Sequence, residues 1–171
     1  GSGKSQLLKL LLMQALHKGA KIYIADFKGG VDYSAIWHEN CSMCFDPDKL
    51  NFLLTELVEE LQKRKILFAE SGSANLDDYN TKNNGQIPRY IFACDEIAEI
   101  LDKTGLTKEQ KEKVLQIESK LSIIARQGRA FGIHLILATQ RPDATILSGQ
   151  ILNNIDCRIC GRATTFFHRL F

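Results

Sequence analysis

The chain has 171 residues, 44% of them apolar and 25% charged, and its net charge is +2. That is the balance of one globular domain with a sizeable core. So small a charge argues against a protein that coats nucleic acid, though not against a local DNA-binding patch; no apolar run approaches the ~20 residues that span a bilayer.

The first element expected is a helix over Ser5–Lys18, where leucines crowd the run after Gly3 and Gly19 closes it. "KIYIAD" reads as a strand buried on both faces, and "SMCF" as a shorter one. Asp46 and Pro47 then open a long helix as cap and first turn. Leu50, Leu53, Leu54, Leu57, Val58, Leu61 and Phe68 keep helical spacing. Glu59/Lys63 and Glu60/Arg64 are expected as pairs on its outer face. "ESGSANLDDYNTKNNGQIP" has the composition of a loop. "RYIFAC" is the next buried strand, ending at Asp95-Glu96. Thr107 and Gln110 form a capping box for a second long helix. "GIHLILAT" is a third buried strand, "TILSGQILNN" a short helix and "DCRICG" a last strand.

Strands alternating with helices make this an α/β fold with a mainly parallel sheet. Three strands end in polar groups: Asp26, Asp95-Glu96 and Thr139-Gln140. Ligands of open parallel sheets bind just outside that edge. The five cysteines are an odd number in a chain too large to need disulfides, which reads as a reducing setting. Cys41/Cys44 and Cys157/Cys160 repeat C-x-x-C, but each pair falls in a strand-like stretch whose i and i+3 residues face opposite ways. Buried structural cysteines are expected over a zinc site.

"GSGKS" matches the second half of the phosphate-loop pattern G-x-x-x-x-G-K-[ST]. In that reading Gly1, Ser2, Gly3 and Gln6 line a phosphate chain with backbone N–H groups, Lys4 reaches the β/γ phosphates and Ser5 holds Mg²⁺. The other reading is an ordinary helix start behind a flexible Gly-Ser stretch. "YIFACDE" adds a strand that delivers Asp95 and Glu96, as a Walker B element does: Asp95 toward Mg²⁺ through water, Glu96 toward the attacking water. Acids at a helix start are the plain alternative. Gln140, in "ATQRP", is placed to sense the γ-phosphate, or else belongs to a turn set by Pro142.

Together "GSGKSQ", "DFKGGVDYS", "YIFACDEIAEI" and "ARQGRAFGIHLILATQRPDATILSGQILNNIDCRICGR" resemble the FtsK/SpoIIIE family of DNA-pumping ATPases, in order along nearly the whole chain. The resemblance implies a RecA-like P-loop NTPase core, truncated at both ends, with ATP and Mg²⁺ as ligands and double-stranded DNA as partner. It implies a homo-oligomer, usually a hexameric ring, and a cytoplasmic domain of a bacterial protein anchored to the membrane by a segment upstream. Arg129 matches an arginine that reaches a neighbour's γ-phosphate as a finger, with Arg126 as rival. Asp26, Lys28 and Gly29 match the family's Asp-Pro-Lys-Gly segment, with Phe27 in place of proline, and leave Lys28 facing either the nucleotide or a subunit edge. Arg158 and Arg162 are open in the same way. His134 is expected in the core, and Lys63-Arg64-Lys65 and Lys108/Lys111/Lys113 on solvated helix faces. Chromosome segregation and mobile-element DNA transfer are the expected settings; a type VII secretion (EccC-like) ATPase, which moves polypeptide, is the alternative.

Overall fold

A computed structural model describes residues 3–140 and 146–160. Gly1, Ser2, the turn expected at Arg141 and Pro142, and Arg162 lie outside the described residues. The chain runs α1 (Lys4–His17), β1 (Lys21–Ala25), α2 (Ala35–Asn40), β2 (Ser42–Cys44), α3 (Pro47–Glu70), α4 (Leu76–Lys82), β3 (Tyr90–Cys94), α5 (Ile97–Leu101) and α6 (Lys108–Gln127). A 3₁₀ turn (Arg129–Phe131), β4 (Ile133–Leu137) and α7 (Gly149–Leu152) complete it.

The strands form one parallel sheet in the order β2-β1-β3-β4. Side chains alternate across it, as strand geometry demands. Ile22, Ile24 and Ala93 face one way and pack under Leu8 and Leu12 of α1 and Trp37 of α2. Ala25, Phe92 and Cys94 face the other way, onto Leu50, Leu54, Leu57 and Leu61 of α3 and Ile117, Leu121 and Ile124 of α6. A sheet covered on both faces needs strands that are apolar throughout, which is what these short runs supply. The α/β reading therefore holds, and so do both long helices. Asp46 caps α3 by accepting from Lys49 N–H at 2.9 Å. Thr107 and Gln110 bond reciprocally at the head of α6.

Three expectations need correcting. The segment expected as loop contains α4, started by Asn75, whose side chain accepts from Asp78 N–H at 2.9 Å. Acids in its first turn suit the helix N-terminus and outweigh the loop-like composition. Residues 156–160 of "DCRICG" form no strand, and Gly161 lies outside the described residues; Cys157 and Cys160 are exposed there, and Arg158 donates to Leu152 O at 2.6 Å.

The third concerns Arg64, expected in water and only 1% exposed. Its guanidinium donates to Glu60 Oε1 at 2.8 Å, Phe131 O at 2.7 Å and Pro88 O at 2.9 Å, and it lies 4.5 Å over the Tyr90 ring. Each of its three nitrogens thus has an acceptor, which is the condition for burying the charge. Gly132 makes room: its φ is +71°, and a Cβ there would fall 2.3 Å from Leu76 Cδ2 and 3.3 Å from Arg64 Nη1.

Candidate functional site

Ala25 pairs with Cys94, and Cys94 with Leu137. The register therefore brings Asp26, Asp95 and Ala138 out at one level on the carboxyl edge, with Thr139 and Gln140 just beyond. β1 is joined to β2 on one side and bonded to β3 on the other. The crevice between the tips of β1 and β3 is thus where the strand order reverses, the usual place for a ligand in such a sheet.

The start of α1 meets the tip of β3. Lys4 Nζ donates to Asp95 O at 2.7 Å and to Glu96 Oε2 at 3.3 Å. Ser5 Oγ donates to Asp95 Oδ2 at 2.7 Å. Gly3 caps the helix in the left-handed region and offers no side chain to its first N–H groups, so among the described residues the first-turn donors are left for another partner. Gln6 follows in that turn and is exposed.

Glu96 is gripped from several directions. Oε1 accepts from Thr139 Oγ1 at 2.6 Å and from Ala98 N–H at 3.3 Å; Oε2 accepts from Gln140 N–H at 2.9 Å and from Lys4. Burial pushes its pKa up, but the Thr139 hydroxyl, the Gln140 N–H and Lys4 outweigh it and hold the carboxyl below the ordinary glutamate range. Asp95 differs. Its Oδ2 is taken by Ser5, while Oδ1 is buried without a hydrogen-bond partner among the described residues, with Lys4 Nζ 4.0 Å away. A buried carboxylate oxygen left open beside a serine hydroxyl fits a hard divalent cation and its water shell.

Beside this cluster Asp26, 7% exposed, organises its own loop. It accepts from Lys28 N–H and Gly30 N–H, each at 2.9 Å. Gly30 has φ +76°, and a Cβ there would stand 2.8 Å from Phe45 Cε1, so the loop requires glycine.

Residues 1–114 match the family model for the FtsK/SpoIIIE family. The chain belongs to that family. It is 31% identical over 176 residues to the DNA translocase FtsK of Bacillus cereus and 30% identical to SpoIIIE of Bacillus subtilis, in each case over 93% of this chain and 21% of the relative. It thus spans about a fifth of those translocases. Among solved structures, the pCW3 conjugation coupling protein TcpA, in a monomer form with ATPγS, is 43% identical with a TM-score of 0.85, over 90% of this chain and 44% of that one. The type VII secretion ATPase EccC of Thermomonospora curvata is 25% identical with a TM-score of 0.65, over 91% and 19%. The fold is accordingly that of a P-loop ATPase domain.

The remaining FtsK/SpoIIIE-type positions lie apart from this cluster. Arg129 opens the 3₁₀ turn, its side chain 83% exposed and 2.5 Å from Asp156 Oδ2. Arg126 is exposed in the last turn of α6. His134 sits half-buried on β4 opposite Ile91, near the strand's far end from the tips. Burial, with Arg89, Arg129 and Arg64 adding, lowers its pKa. The sequence singled out Thr139 only as a strand tip. Its grip on Glu96 depends on the β3–β4 register, which no local pattern encodes.

Proposed function

We propose that this chain is the ATP-hydrolysing motor domain of a double-stranded DNA translocase that works as a ring, usually of six copies. The observation that carries the reading is the meeting of Lys4 and Ser5 with Asp95 and Glu96 at one strand tip. In this reading Gly1, Ser2, Gly3 and Gln6 lie along the phosphates and Lys4 binds the β/γ pair. Ser5 and, through water, Asp95 would hold Mg²⁺, which when bound would supply neutralisation of phosphate charge.

Glu96 is then the general base. Its Oε2 is shared between Gln140 N–H and Lys4. When Lys4 turns to the phosphates, that oxygen is left with one donor and accepts from the attacking water. Thr139 keeps the carboxylate aimed, and Gln140 places its amide beside the γ-phosphate. Arg129, exposed on its turn, completes a neighbour's site. The greater identity to the conjugation coupling protein favours transfer of mobile-element DNA over chromosome segregation, and a membrane anchor outside this chain fits both.

The test is ATP hydrolysis by the intact protein with and without double-stranded DNA. Strong stimulation by DNA, abolished by Glu96→Gln, is expected. Stimulation by a secreted polypeptide and not by DNA would overturn the reading in favour of a type VII secretion ATPase.

A further inference from the structure

The FtsK/SpoIIIE-type reading leaves Lys28 without a task. We infer that Lys28 is a second phosphate-binding cation of this site, one that leaves Glu99 for the terminal phosphate of ATP and so lets the site tell ATP from ADP. The inference rests on the nucleotide-site reading above.

Three observations carry it. First, the loop is built to hold its backbone and free this side chain. Asp26 fixes the Lys28 and Gly30 N–H groups, and Gly29 and Gly30 turn the chain with φ of +85° and +76°. The Lys28 side chain remains 47% exposed. Second, its present partner is easily exchanged. Lys28 Nζ lies 3.4 Å from Glu99 Oε1, itself on a side chain 40% exposed. A pair so open to water contributes little and breaks readily. A terminal phosphate carries more charge than one carboxylate, and lysine suits it as a mobile point charge.

Third, the placement is right. Glu99 is one turn along α5 from Glu96. Lys28, Asp26, Asp95, Glu96 and Glu99 line one cleft, together with Asp32. Among the described residues lining it, Lys28 alone is cationic, against five carboxylates. Glu99 first, then Asp95 and Glu96, raise the Lys28 pKa, so the ammonium stays charged in that field. Lys4 reaches Asp95-Glu96 from α1, while Lys28 comes from the β1 loop by way of α5. In this inference a γ-phosphate onto which Glu96 directs water would meet Lys4 from α1 and Lys28 from the cleft that Lys28 lines with Glu96. The phosphates of ADP stop short of that position.

The experiment is calorimetric titration of the intact protein with Mg²⁺-ATPγS and with Mg²⁺-ADP. Lys28→Ala is expected to weaken ATPγS about tenfold, the loss of one charge-assisted contact, and to leave ADP unchanged. Lys28→Arg should keep the preference for ATPγS. Glu99→Gln should tighten ATPγS about threefold by releasing the lysine from an exposed pair. Retained ADP binding reports that each variant is folded. Equal weakening of both nucleotides by Lys28→Ala, or no weakening of ATPγS, overturns the role of Lys28 and leaves the nucleotide site standing. Failure of the unaltered protein to bind either nucleotide overturns the site reading and this inference with it.

Discussion

Thr139 donates its hydroxyl to Glu96 across 2.6 Å, from the tip of one strand to the tip of the next. With the Gln140 N–H it keeps Glu96 ionised at lower pH than an ordinary glutamate. A carboxylate with a lowered pKa works as a base above that pKa and is lost as pH falls through it. Thr139→Val removes the largest of the lowering contacts. The acid limb of kcat against pH should move to higher pH, with kcat reduced about tenfold at the plateau through lost aim. Thr139→Ser should restore both. A profile unmoved by Thr139→Val would mean that the hydroxyl does not act on the base.

Glu96→Gln separates binding from chemistry. The amide keeps the shape and can still bond Thr139, but it cannot take a proton. Hydrolysis should fall about a hundred- to ten-thousandfold. ATPγS binding should hold or tighten, because Lys4 loses a carboxylate that competes with phosphate. Stopped-flow binding set against steady-state turnover makes the distinction. A parallel loss of both would point to a structural role for Glu96.

Much of this site was legible in the sequence because a parallel sheet announces itself. Its strands must be apolar on both faces, so "KIYIA", "YIFAC" and "IHLIL" stand out, and the polar residues that end them mark one edge. What escaped depends on contacts between segments distant in sequence. Arg64 reads as surface charge, yet 57, 61, 64 and 68 share one helical stripe, and that spacing was the available sign of burial. Its three acceptors come from α3, the approach to β3 and the 3₁₀ turn, so only the fold reveals that the charge is met. Likewise "DCRICG" alternates like a strand, but a strand needs a neighbour to pair with, and residues 156–160 have none among the described residues.

Arg64 also carries a stability prediction. Arg64→Met keeps the length and removes the charge, which strips the donors from Phe131 O and Pro88 O and leaves Glu60 alone. The loss should be about 3 kcal/mol, at the lower end for a broken buried pair because Glu60 keeps some contact with water. Arg64→Lys should recover only part, since an ammonium cannot reproduce the planar fork. Urea unfolding of the three proteins gives the comparison. A Met variant as stable as the original would show that apolar packing replaces the network at no cost.

Arg129 should behave in the opposite way. Its pair with Asp156 is exposed on both sides, so Arg129→Ala should alter stability by no more than about 0.5 kcal/mol. If the guanidinium serves a neighbour's γ-phosphate, the same change should lower hydrolysis by about a thousandfold. Mixing decides whose site suffers. Subunits carrying Glu96→Gln are dead in their own site but keep a finger to lend; subunits carrying Arg129→Ala have a sound site and no finger. Mixed rings of the two should regain activity that neither has alone, because some Arg129→Ala subunits then sit beside a donor. Arg126→Ala in the same assay tests the rival, one turn earlier on α6. Mixtures that stay inactive, or Arg129→Ala rings with full activity, would remove Arg129 from the role.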